Sequence, residues 1–305
     1  MILKEPIILA VTYQERIDKY IATHTDISRA EVKNIILDYG VFVDQTVEVR
    51  KPNFLVKPGH IITIQNKLPA KEYLIKAQKM ALEIIYEDDY VIVLNKPSGL
   101  VVHPAPGNYD NTLVNGLLYH FKNLSDLNGP IRPGIVHRID KYTSGLMLVA
   151  KNNSAHRYFA QQLQEHKIER QYKAIVEGIV QNQIMHINLP IARDPHDFQK
   201  MKIDKTGKPA RTHVYVEQIY QHHTLIRCVL ETGRTHQIRL HLSYVKHPVV
   251  GDDLYGNYLD SFYQRLHAYK LSFKHLNGEQ MNFEIDYPSD FFTNLPGVFK
   301  PAKQN

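Results

Sequence analysis

The stretch GIVHRIDKYTSGLMLVAK, Gly134 to Lys151, has three parts. The apolar pair Ile135-Val136 leads into the polar segment His137 to Tyr142, Thr143-Ser144-Gly145 supplies turn-forming residues, and Leu146 to Ala150 is an apolar run that re-enters a strand. Asp140 therefore belongs on a loop at a sheet edge, with Arg138 and Lys141 as charged neighbours. Loops held by a rigid scaffold carry a disproportionate share of catalytic groups. The same pattern also suits a purely structural turn, in which the carboxylate accepts hydrogen bonds from the Thr143 and Ser144 amides.

Working outward, NNSAHRYFAQQLQEH (152–166) reads as a helix, whereas RQYKAIVEGIV (170–180), RTHVYVEQIY (211–220) and TLIRCVLE (224–231) are rich in branched and aromatic residues and read as strands. Upstream, LEIIYEDDYVIVLNKPSGLVVHPA (82–105) reads as strand, turn, strand and a Pro/Gly loop, and a short helix follows with Asn111 as its cap. Strands outnumber helices and several are joined by tight turns. Residues 82–302 are thus expected to form one domain built on a mixed, mainly antiparallel sheet with peripheral helices.

The N-terminal region has a different texture. In SRAEVKNIILDYG, Ser28 and Glu31 stand at capping-box spacing, Val32, Ile35, Ile36 and Tyr39 recur at helical intervals, and Gly40 sits where a C-cap belongs. A weaker helix precedes it at 16–22; VFV and VEV flank Asp44-Gln45 as a hairpin; and a Lys57-Pro58-Gly59 turn leads to the strand HIITI. Residues 13–66 are expected to form a small α/β module, joined by a polar, basic linker at 67–81, so the fold class is α+β. The module's charges, among them Arg16, Lys19, Arg29 and Lys33, fall largely off the apolar stripe; alone, they read as a solvated face.

Bulk properties narrow the function. With 43% hydrophobic and 22% charged residues the chain has an ordinary globular composition, and no apolar stretch approaches the ~20 residues of a membrane span. The N-terminus lacks the features of an export signal and Cys228 is the only cysteine, so the cytoplasm is the expected compartment. The net charge of +6 favours a polyanionic partner such as RNA. The 17 histidines show no metal-ligand spacing: His236 and His241, five apart, diverge by about 140° on a helix, and no HExxH occurs. No metal and no cofactor are expected.

GIVHRIDKYTSGLMLVAK, ERQYKAIVEG (169–178) and LETGRTHQIRLHL (230–242), taken in order with NKPSGLVVHPAPGN, NTLVNGLLYH and HPVVGDDLYG, resemble the signature series of the large-subunit ribosomal RNA pseudouridine synthases of the RluA/RluD type. The N-terminal ERIDKYIA, SRAEVKNIILDYGVFV and VKPGHIITI resemble the S-four-like RNA-binding module first known from a small-subunit ribosomal protein. The first resemblance implies that Asp140 is the catalytic aspartate, that Tyr172 packs on the target base, that Arg239 is the basic partner of the aspartate, and that Arg138 holds the RNA once the uridine leaves its stack. The second implies that the helix pair carrying Arg29 and Lys33 contacts structured RNA. Departures are Ile139 and Met147 in place of commoner leucines, Tyr142 where the family has a small or acidic residue, and Asp44-Gln45 where it has Asn-Gly.

The implied chemistry suits the inventory. Isomerising uridine breaks the bond from base to ribose, turns the freed uracil, and joins its carbon 5 to the same sugar carbon, with nothing oxidised and no group consumed. A phosphate loop or dinucleotide fingerprint is not needed, and none is present. A glycoside hydrolase would need a second carboxylate to activate water; these motifs supply one. Burial under RNA favours the neutral acid, and a guanidinium opposes this with roughly 4 kcal/mol at ~4 Å and an effective dielectric near 20. The ionised carboxylate can then attack the anomeric carbon or remove a ribose proton, and the residues do not distinguish these routes. An aromatic face for the base contributes ~1–3 kcal/mol toward the few kcal/mol of unstacking. Expected partners are large-subunit rRNA or a pre-ribosomal particle, with no protein partner evident and the chain a monomer. Two rival readings are an assembly factor without turnover, disfavoured because Asp140, Tyr172 and Arg239 are all present, and a metal-dependent nuclease, which requires ligand clusters the spacing lacks.

Overall fold

The structure is a computed structural model describing residues 6–65, 75–105, 108–197, 199–257 and 262–301. The chain divides into two compact units, Met1–Leu74 and Ile75–Asn305.

In the first unit, strands β1 (Ile7–Ala10) and β2 (Glu15–Arg16) precede helices α1 (Ile17–Thr23) and α2 (Arg29–Asp38), followed by β3 (Val41–Val43), β4 (Val47–Val49), β5 (Leu55–Val56) and β6 (Ile61–Ile64). An antiparallel sheet in the order β1-β6-β3-β4 shares a core with the helices, centred on Ile17, Ile21, Ile36, Val41 and Ile62. Helix α2 starts where the capping residues place it: the Ser28 hydroxyl accepts the Glu31 amide. Asp44 and Gln45 both take positive φ, 53° and 61°, in the turn that pairs Val43 with Val47. Asp44 tolerates this by accepting the Ile61 amide at 2.8 Å on its carboxylate, which ties the hairpin to β6.

The second unit contains β7 (Glu83–Glu87), β8 (Val91–Lys96), α3 (Leu113–His120), β9 (Ser144–Ala150), α4 (Asn153–Gln164), β10 (Glu169–Glu177), β11 (Ile184–Asn188), β12 (Ile191–Arg193), β13 (Met201–Ile203), β14 (Arg211–Ile219), β15 (His223–Leu230), α5 (Gln237–Tyr244), β16 (Leu266–Lys274) and β17 (Gln280–Glu284). Its main sheet runs β11-β14-β15-β10-β16-β9-β8-β7, with β17 also on β16; β9 and β16 are parallel and the other named pairings antiparallel. The apolar run of β9 is explained by cover on both faces: Met147 and Val149 join the core that contains α3 and α5 residues, while Leu146, Leu148 and Ala150 join Ala155 and Phe159 of α4.

Two expectations need correction. Helix α3 is capped by Thr112, whose side chain exchanges hydrogen bonds with Asn115, rather than by Asn111, which takes φ 56°. Residues 75–81, expected as linker, belong to the second unit. The Gln78 amide donates to Asn115 O at 2.9 Å, the Asn115 amide reaches Lys76 O, and Ile75 packs on the core, so apolar and backbone partners override the segment's polar composition. Residues 67–74 of that expectation lie outside the described residues. No described helix is long and apolar enough to cross a membrane.

The interior also sets a pH response. Burial pushes His137 down to about 3, with Arg170 adding, and His267, which is fully buried, down to about 4. Both stay neutral in the folded protein, while the unfolded chain protonates them from near 6.5. Their contribution is therefore complete above pH 6.5 and declines as pH falls toward the folded values, by up to about 1.4 kcal/mol per pH unit for each group. The melting temperature is expected to start dropping just below pH 6.5, with a shallower slope in His267→Asn. A flat profile from pH 7 to pH 5 would contradict this.

Candidate active site

Asp140 lies in the loop that enters β9. Its backbone carbonyl, not its carboxylate, takes the turn bond from the Thr143 amide at 3.2 Å. The carboxylate is left free to face a cavity, and the structural-turn reading fails on this point. Three side chains hold the loop. The buried Lys96 ammonium donates to the carbonyls of Pro97, Leu100 and Lys141 at 2.7, 2.9 and 2.9 Å. The Ser98 hydroxyl donates to Tyr142 O at 2.9 Å, and the Gln264 amide donates to the Thr143 hydroxyl at 2.5 Å. Gly145 is required by close approach: at φ 115°, a Cβ there would stand 2.2 Å from the Ala268 carbonyl oxygen.

The cavity, of about 550 Å³, is lined by Arg138, Asp140, Arg170, Tyr172, His236 and Arg239 among others. Tyr172 reaches it from β10, where it pairs with Ala268, which in turn pairs with Gly145. This row places the tyrosine two strands from the Asp140 loop, about 10 Å across the sheet. The register between β10 and β16 shifts at Gln171/Tyr172, where Tyr269 is the extra residue of a β-bulge on β16, while β10 keeps an unbroken register with β15. Burial, with the Asp140 charge adding to it and Arg170 opposing, pushes the Tyr172 phenol up and keeps it protonated.

Arg239 projects from α5 and is almost wholly buried rather than lying on a helix surface. One terminal nitrogen donates to Asp140 Oδ2 at 3.0 Å; Nε and the other terminal nitrogen donate to Asp252 at 2.6 and 2.8 Å, and the latter also reaches Asp253 at 3.0 Å. Burial opposes the guanidinium charge, but the hydrogen bonds and charges of Asp252 and Asp140 outweigh it and hold the group above its ordinary range. For Asp252 burial again works against the charge, and Arg239 together with the Leu254 and Tyr255 amides holds the carboxyl below the usual range. Arg239 is thereby fixed by Asp252 and still presents a donor to Asp140.

His236 approaches Asp140 to 3.9 Å, but burial keeps the imidazole below its ordinary pKa, and its Nδ1 bonds the Tyr255 hydroxyl at 2.9 Å. Arg138 is exposed at the cavity and donates to His103 Nε2 at 2.8 Å. Tyr142 stacks on Tyr263 with ring centroids 4.0 Å apart and the Lys141 ammonium 4.8 Å from its ring.

The structure therefore brings Asp140, Arg138, Tyr172 and Arg239 to one cavity. Arg16, Lys19, Arg29 and Lys33 are in the first unit. Arg16 and Arg29 converge on the buried Asp18, each at 3.0 Å; Lys19 lies 3.9 Å from Glu15, and Lys33 is exposed. Two guanidiniums on one carboxylate leave positive charge in excess. Sequence reasoning missed Asp252 and Lys96. HPVVGDDLYG carried the aspartate in plain view, but no spacing rule pairs it with an arginine on another element.

The RNA pseudouridylate synthase family model matches residues 90–244. The chain is 46% identical over 281 residues to an uncharacterized RNA pseudouridine synthase, YlyB, of Bacillus subtilis, covering 90% of this chain and 91% of that protein. It is 43% identical over 290 residues to ribosomal large subunit pseudouridine synthase D of Zymomonas mobilis, covering 90% and 91%. Among solved structures, human RNA pseudouridylate synthase domain containing 1 superposes with a TM-score of 0.58 at 25% identity, over 72% of this chain and 91% of that one.

Proposed function

This chain belongs to the RNA pseudouridylate synthase family, and we propose that it isomerises specific uridines of large-subunit ribosomal RNA through Asp140. The carrying observation is the junction of one carboxylate, a guanidinium fixed by a second carboxylate, and an aromatic ring in a single cavity. In this reading the uridine leaves its stack and its uracil packs on Tyr172. Arg138 holds the strand, and Arg239 aims Asp140 and supplies its counter-charge. The carboxylate then attacks the anomeric carbon or takes a ribose proton, and the cavity retains the detached base while it turns. The rRNA assignment draws on relatives named as large-subunit enzymes, among them proteins of Zymomonas mobilis and Neisseria meningitidis.

Residues 13–66 act in this reading as an S-four-like RNA-binding domain, with Arg16, Lys19, Arg29 and Lys33 as contacts, and residues up to 302 complete the catalytic domain; the protein works as a cytoplasmic monomer. The separate hydrophobic core of the first unit supports an independent module. Deleting residues 1–66 is expected to weaken rRNA binding at least about tenfold and to relax site choice, while pseudouridine formation at the remaining sites continues. A truncated protein with unchanged affinity and selectivity would show the module to be incidental. The reading as a whole is tested by mapping pseudouridines in rRNA from a strain lacking the gene, with and without complementation. A map identical in both strains would overturn it.

A further inference from the structure

Arg170 is a cation that the fold buries without neutralising. It sits on β10 two residues before Tyr172, is 8% exposed, and lines the same cavity. Among the described residues no carboxylate comes within ion-pair distance of it and none of its nitrogens makes a hydrogen bond, and Nε is fully buried without an acceptor. The loop after β15 leaves space for it: a Cβ on Gly233 would stand 2.5 Å from one terminal nitrogen. Neither titratable neighbour supplies a counter-ion, since Tyr172 is held protonated and His137 uncharged, and burial draws the guanidinium below its ordinary range.

Burying an uncompensated charge is strongly unfavourable, and a fold gains from keeping one when a ligand brings the counter-ion. Uridine is neutral; the full anion that an RNA strand carries is the phosphodiester. We infer that Arg170 is the phosphate receptor of the cavity, binding the phosphodiester next to the flipped uridine with its two terminal nitrogens. The planar fork suits two phosphate oxygens. Two residues of strand span about 7 Å, which is comparable with the reach from a base stacked on Tyr172 to the phosphate on its own ribose. This assignment rests on the reading that the substrate is RNA.

The test uses a synthetic stem-loop RNA carrying the mapped uridine, with a neutral methylphosphonate replacing the phosphate on its 5′ or its 3′ side. For the wild-type protein one of the two replacements is expected to raise Kd about tenfold or more. Arg170→Gln is expected to lose about the same on unmodified RNA, to lose nothing further on that methylphosphonate RNA, and to show a salt slope of log Kd shallower by about 0.7–0.9. Arg170→Met is expected to melt at or above the wild-type temperature, since it removes an unneutralised charge; a structural role predicts a clear drop instead. Losses that multiply at both positions would overturn the assignment, as would a destabilised Arg170→Met with Arg170→Gln keeping the wild-type salt slope. Pseudouridine formation by the wild type on unmodified RNA separates the two levels. If it is absent, the substrate reading falls; if it is present and the losses multiply, Arg170 alone is misassigned.

Discussion

Asp140→Asn will leave the protein folded and able to bind RNA but will lower pseudouridine formation by more than about 10³-fold. Asparagine keeps the shape of the side chain and an oxygen that can accept from Arg239 at the position now 3.0 Å away. Arg239 retains both bonds to Asp252, so the loss of one anion leaves no orphaned cation. What disappears is the only property both chemical routes require, a negatively charged oxygen able to attack carbon or take a proton. Release of tritium from RNA labelled at uridine carbon 5 measures turnover, and filter binding measures affinity. Turnover within tenfold of the wild type would end the assignment of chemistry to Asp140.

Arg239→Gln will damage fold and catalysis together. It strips the cation from Asp252, whose side chain is fully buried, and from Asp140 and Asp253 beside it. Breaking such a buried pair from one side costs about 3–5 kcal/mol, which corresponds to a melting temperature lower by roughly 10 °C in a unit of this size. Catalysis is expected to fall at least about 10²-fold, because Asp140 loses both its orientation and its counter-charge. Arg239→Lys keeps the charge but not the two-pronged geometry toward Asp252, so it will be intermediate in both respects.

A pH signature separates this from simple misfolding. In the wild type Asp252 lies below its ordinary range, so its stabilising effect is present above the unfolded value near 3.8 and is lost as pH falls through the folded value. Without Arg239, burial dominates and raises the Asp252 carboxyl above its unfolded value, which reverses the sign: stability is then full at low pH and lost as pH rises. The gap in melting temperature between Arg239→Gln and wild type should therefore narrow from pH 7 to pH 5. Adding Asp252→Asn should recover much of the stability at pH 7 and none of the activity. A deficit independent of pH would argue that the buried ion pair is not its cause.

What could be read along the chain was local. The bounds of α2 followed from Ser28, a 3.6-residue apolar period and Gly40, since capping bonds and helix periodicity involve residues within a few positions of one another. The strand after Gly145 and the isolated acid before it were equally legible, and the ordered motifs pointed to the chemistry. Where the chain read wrongly, distant partners decided: residues 75–81 look like linker until Asn115 and the core claim them. The ion network belongs wholly to the tertiary level. Asp140 and Arg239 are separated by 99 positions, and Asp252, which holds the arginine, lies on another segment again. The unpaired state of Arg170 is equally invisible in ERQYKAIVEG, where it has a glutamate neighbour at Glu169. Local propensity chooses helix, strand and turn through neighbours along the backbone. Burial and charge pairing arise only when the sheet brings remote segments together, and in this protein they decide which of many acids and bases face the cavity.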